Sequence, residues 1–101
     1  MKPPAQIASM AELRAEIDAL DARLVASLAS RARLIDRAAE LKSAEGMPAL
    51  VPARVAEVLA HVRAQALARG LDPLLAEALW RQIIDWSIDR EEAVLGKGEG
   101  V

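Results

Sequence analysis

The chain has 101 residues, 53% of them hydrophobic, and 13 Lys and Arg against 15 Asp and Glu give a formal charge of −2. That length fits one domain of ordinary size, and the charge offers no global field or basic run for nucleic acid. With no cysteine and a single histidine, His61, disulfides and thiol chemistry are excluded and a zinc site within one chain is disfavoured.

Alanine, leucine and arginine dominate, and phenylalanine and tyrosine are absent, which favours helix over strand throughout. The opening MKPPAQIASM lacks the apolar core of a secretion signal. No apolar stretch approaches the roughly 20 residues that span a bilayer. The expectation is a soluble, cytoplasmic protein with no membrane or nucleic-acid partner. Residues 1–9 are expected to be flexible.

A first helix is predicted to start after Ser9, where Ser9 and Glu12 form the S-x-x-E capping box. No Gly or Pro follows until Gly46, so the helix can run to about Lys42, some 50 Å at about 1.5 Å per residue. A rod of that length argues for a bundle or an intertwined dimer. Residues 43–52, SAEGMPALVP, read as a loop. Pro52 suits the first turn of a second helix, which runs from about Ala53 to Arg69 and stops at Gly70. In GLDP, Asp72 is the N-cap and Pro73 the first helical position of a third helix, which extends to about Leu95 and ends at Gly96. The tail 96–101, GKGEGV, is expected to be disordered. The fold class is therefore all-α, three helices with the first the longest, in one helical domain over residues 10–95.

Helical phase then singles out residues. On the first helix Leu13, Ile17, Leu20, Leu24, Leu28, Ile35 and Ala38 share one arc, and Arg31 and Lys42 lie inside it. Lys42 can snorkel from a helix end, but Arg31 sits mid-helix, where that works poorly. A buried cation without an anion is too costly to persist. The first helix offers no acid on that arc, which points to an anionic ligand or to an acid from elsewhere. On the third helix Leu75, Leu79, Ile83 and Trp86 form one stripe, widened by Trp80, Ile84 and Ile88. Apolar cover of well over half the circumference again argues for a dimer. Ser87 and Glu91 sit at i and i+4 within this face. Glu91 has two readings from phase alone, the partner of an internal cation or a hydrogen-bonding group in a polar pocket.

Arg54 flanks the stripe Val55, Val58, Leu59 and Val62 of the second helix. His61 falls on the polar side and reads as solvated, and Asp85, Asp89, Arg90 and Glu92 read as ordinary surface charges. Arg31 and Lys42 are about 16 Å apart along the axis, a gap that two long side chains and a small ligand bridge. Arg14, roughly 25 Å from Arg31 on the same rod, reaches that ligand only from a second copy.

The segments LRAEIDALDARLVASLASRARLIDRAAELK, PARVAEVL and GLDPLLAEALWRQIIDWSIDREE resemble the all-helical chorismate mutase family, which includes the isochorismate pyruvate-lyases. The resemblance covers about Leu13 to Leu95, with the L-R-x-x-I-D-x-[LI]-D opening and the later Arg and Lys at the family spacing. It implies an intertwined helical homodimer and a pocket for a small dicarboxylate, with no metal or cofactor. By the same resemblance Arg14 is the arginine donated across the interface. Arg31 and Lys42 hold the carboxylates, and Lys42 also lies near the ether oxygen. Arg54 is a further pocket arginine, Ser87 contacts the substrate, and Glu91 falls where many members have glutamine. Arg31, Lys42 and Glu91 are the expected catalytic groups.

Two departures bear on activity. Glu91, unlike glutamine, must be protonated to donate a hydrogen bond. Val55 replaces the acid with which typical mutases meet the substrate hydroxyl; lyase-type members are apolar there, and Trp86 also looks lyase-like. The first expectation is a chorismate mutase giving prephenate, in aromatic amino acid biosynthesis. The close alternative is an isochorismate pyruvate-lyase giving salicylate and pyruvate. The third is a non-catalytic helical dimer binding a related dicarboxylate.

Overall fold

The computed structural model describes residues 2–96. Three α-helices follow a 3₁₀ turn at Pro4–Gln6: α1, Met10–Glu45; α2, Pro52–Arg69; and α3, Pro73–Leu95. No strand occurs among the described residues, so the all-α expectation holds. The first helix continues one turn beyond the Lys42 expected as its end, and disorder expected for 96–101 concerns, from residue 97 on, residues outside those described. None of the described helices is long and apolar enough to cross a membrane. The chain divides within α1 into two units, one ending at Arg33 and one beginning at Leu34.

The first unit is the N-terminal segment and the start of α1. Ser9 Oγ accepts from the Glu12 amide at 3.1 Å, and the Glu12 carboxylate reaches back to the Ala8 amide at 3.3 Å. The capping box thus forms with its return bond displaced by one residue, because Lys2 also pairs with Glu12. The Lys2 ammonium, with help from the Ala8 amide, holds the Glu12 carboxyl below the usual carboxylate range. Ile17, Leu20, Leu24 and Leu28, the stripe read from the sequence, are all exposed in the single chain, Leu24 at 56%.

The second unit holds the last turns of α1, the loop, and α2 packed on α3. Its buried residues are mostly small, Ala39, Ala49, Ala66 and Ala76 with Leu59 and Ile84, and α2 and α3 approach closely. Two breaks of the same kind fix its path. Gly46 and Gly70 take left-handed φ of 69° and 74°. After each, the following amide bonds five residues back, Met47 to the Lys42 carbonyl and Leu71 to the Ala66 carbonyl, both at 2.8 Å. These are Schellman caps, which satisfy the last carbonyls of α1 and α2 and turn the chain sharply. Asp72 then caps α3 by accepting from the Leu74 amide at 2.9 Å, with Pro73 at the first helical position. Arg63 of α2 pairs with Glu77 of α3 across this hairpin.

Candidate functional site

Lys42 lies in the last turns of α1, just before the cap at Gly46. That cap carries the loop back so that the buried Ala49 presents its carbonyl to the lysine. Lys42 Nζ donates to Ala49 O at 2.7 Å and lies 2.7 Å from Glu91 Oε1 on α3. The Glu91 side chain is 5% exposed and that of Lys42 20%. The acid-partner reading of Glu91 is therefore realised in the chain itself.

The pair is close but not well aligned. By distance it is a strong ion contact, yet Glu91 Oε1 meets no donor at hydrogen-bonding angles and stays buried. An oxygen in that state is electrostatically compensated and short of a directed hydrogen bond, a costly arrangement in a low-dielectric interior. Chemically, the site holds a cation and a carboxylate that can turn to a third group.

One turn earlier on the same face of α3, Ser87 is buried and its Oγ donates to the Ile83 carbonyl at 2.7 Å. Ser87 and Glu91, at i and i+4, thus stand on one face as the helical phase predicts. Ile84 packs beside them as the largest buried apolar residue of α3.

The remaining predicted residues are placed as follows. Arg54, in the first turn of α2, is exposed and its guanidinium is engaged with Glu57. Val55 is half-buried beside it, and His61 is exposed as expected. Arg14 and Arg31 belong to the first unit, Arg14 exposed and Arg31 half-buried. An open hollow of about 710 Å³ lies at the loop, bounded by Lys42, Met47, Pro48, Leu50, Glu92 and Leu95. Glu91 and Ser87 do not line it, so the chemistry rests on the Lys42–Glu91 contact rather than on that hollow.

Two features escape the sequence. The Ala49 carbonyl is a backbone partner brought in by the loop path, which no side-chain pattern signals. Arg90, read as an ordinary surface charge, reaches α1 and meets Asp36 through both carboxylate oxygens, Nε to Oδ1 at 2.5 Å and Nη2 to Oδ2 at 3.0 Å. Its guanidinium also stacks 5.2 Å from the centre of the Trp86 ring. The bonds to Arg90 hold the Asp36 carboxyl below the usual carboxylate range, against a smaller upward push from burial, and Arg90 is correspondingly raised.

Comparison with known proteins gives consistent matches. The profile of the chorismate mutase type II family matches residues 13–92. The T-protein of Enterobacter agglomerans is 38% identical over 85 residues, covering 84% of this chain and 23% of the T-protein. The isochorismate pyruvate lyase of Pseudomonas aeruginosa is 36% identical over 89 residues, covering 87% of this chain and 86% of that protein. The 4-amino-4-deoxychorismate mutase of Streptomyces pristinaespiralis is 30% identical over 96 residues, 95% of this chain and 74% of the relative.

Proposed function

The chain belongs to the chorismate mutase type II family, and on that footing we propose that it is an enzyme that binds chorismate or isochorismate and accelerates a pericyclic reaction. The observation that carries the reading is the buried Lys42–Glu91 contact, a cation and an acid held side by side with one carboxylate oxygen lacking a directed hydrogen bond.

The reaction needs no nucleophile, so the residues act by holding one conformer and by meeting charge as it develops. In the mutase reaction the ether C–O bond breaks as a C–C bond forms within the same molecule, giving prephenate. Lys42 donates to the ether oxygen as it gains charge, with Glu91 holding the ammonium from the other side. Arg31 and Arg54 hold the carboxylates, and Ser87 contacts the bound ring. For Arg54 this requires release of Glu57, an exchange of one exposed carboxylate for a ligand's.

A second copy completes the site. Ile17, Leu20, Leu24, Val25 and Leu28 are all exposed on the first helix, and exposed apolar side chains grouped in this way suit an interface. We assign that stripe to a homodimer interface in which the partner's first helix supplies Arg14. Residues 10–95 are the helical domain of that dimer, and a cysteine-free chain suits the cytoplasm.

One observation favours the lyase as a second reading. Val55 offers a half-buried apolar side chain where a mutase would place an acid to meet the ring hydroxyl. In that reaction a ring hydrogen passes to the enolpyruvyl methylene as the C–O bond breaks, giving pyruvate and salicylate from isochorismate.

The deciding experiment is incubation of purified protein with each substrate separately and chromatographic identification of products. Prephenate from chorismate establishes the mutase, and salicylate with pyruvate from isochorismate establishes the lyase. Neither product from either substrate overturns the enzymatic reading and leaves a dicarboxylate-binding helical dimer.

A further inference from the structure

Within the second unit, α1 and α3 are joined by two ion pairs, Lys42–Glu91 and Asp36–Arg90. On α1, Asp36 and Lys42 are about 9 Å apart along the axis and about 120° apart around it. On α3, Arg90 and Glu91 are consecutive, about 100° apart around the axis. The two pairs therefore bridge the helices on different flanks. A single contact made by two long side chains leaves each helix free to roll about its axis. A second contact on another flank removes that freedom.

Arg90 is suited to this role. Its edge is held by both oxygens of Asp36 and its face lies against Trp86, so a long flexible side chain has one geometry. Glu91 is held less tightly at one oxygen, because its Oε1 meets Lys42 without an aligned hydrogen bond. The roll of α3 is what aims it.

We propose that Asp36 and Arg90 form a positioning pair that sets the roll of α3 and so aims Glu91 at Lys42. Neither residue touches the reacting atoms. The pair is half exposed, so it contributes little to overall stability, and its effect is felt in the geometry of its buried neighbour. The kinetic part of this inference rests on the proposed enzymatic function; the geometric part does not.

The test is a double-mutant cycle between Lys42→Met and Glu91→Gln, read by urea unfolding at fixed protein concentration. The cycle is run in the wild-type, Asp36→Asn and Asp36→Arg/Arg90→Asp backgrounds. Lys42→Gln replaces Lys42→Met if the latter does not fold. The coupling between Lys42 and Glu91 is expected to fall by half or more in Asp36→Asn and to return in the charge-reversed background. Coupling unchanged by Asp36→Asn, or lost and not regained on reversal, overturns the proposal. On whichever substrate the wild type converts, Asp36→Asn is expected to lower kcat about 3- to 10-fold with KM nearly unchanged, and reversal to restore it. Conversion of neither substrate by the wild type defeats the enzymatic reading alone, since the unfolding cycle still decides whether the pair aims Glu91.

Discussion

Lys42 Nζ stands 2.7 Å from Glu91 Oε1 and 2.7 Å from the Ala49 carbonyl, so one ammonium ties the end of α1 both to α3 and to the loop that follows it. The cation that looks misplaced on an apolar helix face is answered inside the chain.

Removing that ammonium leaves a buried carboxylate with no counter-charge. Lys42→Met is expected to destabilise the protein by about 2–3 kcal/mol, below the roughly 3–5 kcal/mol of a fully buried broken pair because Lys42 keeps some solvent. Glu91→Gln, which removes the charge that needed compensation, should cost about 1 kcal/mol or less. Urea midpoints at equal protein concentration check the order; equal losses in the two variants contradict it.

Asp36 makes a prediction about stability rather than rate. Arg90 depresses its carboxyl below the ordinary aspartate value of 3.8, so the folded chain binds that proton less readily than the unfolded chain. The stabilisation is then fully present above the unfolded value and is lost as pH falls through the lower folded one. The difference in melting temperature between wild type and Asp36→Asn should be present at pH 7 and shrink steadily once the pH drops below about 3.8. A difference independent of pH over that range removes the pair from the account.

Sharing of the site between two copies predicts complementation. Arg14→Ala and Arg31→Ala should each be nearly inactive, yet a mixed dimer has one site with both arginines. After complete exchange half the dimers are mixed and half their sites are intact, giving about a quarter of wild-type activity. No recovery after exchange verified by native mass spectrometry excludes Arg14 from the partner's site.

The turn at Gly46 links backbone conformation to the site. Its φ of 69° is unfavourable for any residue with a Cβ, although a Cβ there meets no atom within 4 Å. Gly46→Ala should therefore cost about 1–2 kcal/mol from backbone strain alone. Because this turn delivers the Ala49 carbonyl to Lys42, activity should fall as well. Calorimetry and steady-state rates on the same preparation check both, and a stable variant with lowered activity isolates the loop's contribution.

Much of the fold was legible because local chemistry dictates it. Ser9 with Glu12, Pro52, Gly70, Asp72 with Pro73, and Gly96 mark helix ends by capping and by left-handed φ, which depend on a few neighbouring residues. The i, i+4 placement of Ser87 and Glu91 was equally local. The stripe through Leu13, Ile17, Leu20, Leu24 and Leu28 was also visible, and in the single chain all of it but the half-buried Leu13 is exposed. What the tertiary structure decided concerns groups far apart in sequence. Phase placed Glu91 on the apolar face but could not choose between a cation and a ligand as its partner; the path through Gly46 and the packing of α3 chose Lys42. Arg90 read as a surface charge because Asp89, Glu91 and Glu92 flank it in sequence, and only the approach of α1 brought both Asp36 oxygens to one edge of its guanidinium. Capping and periodicity are properties of a segment, whereas the pairing of Lys42 with Glu91 and of Asp36 with Arg90 depends on how two helices cross, which no segment encodes alone.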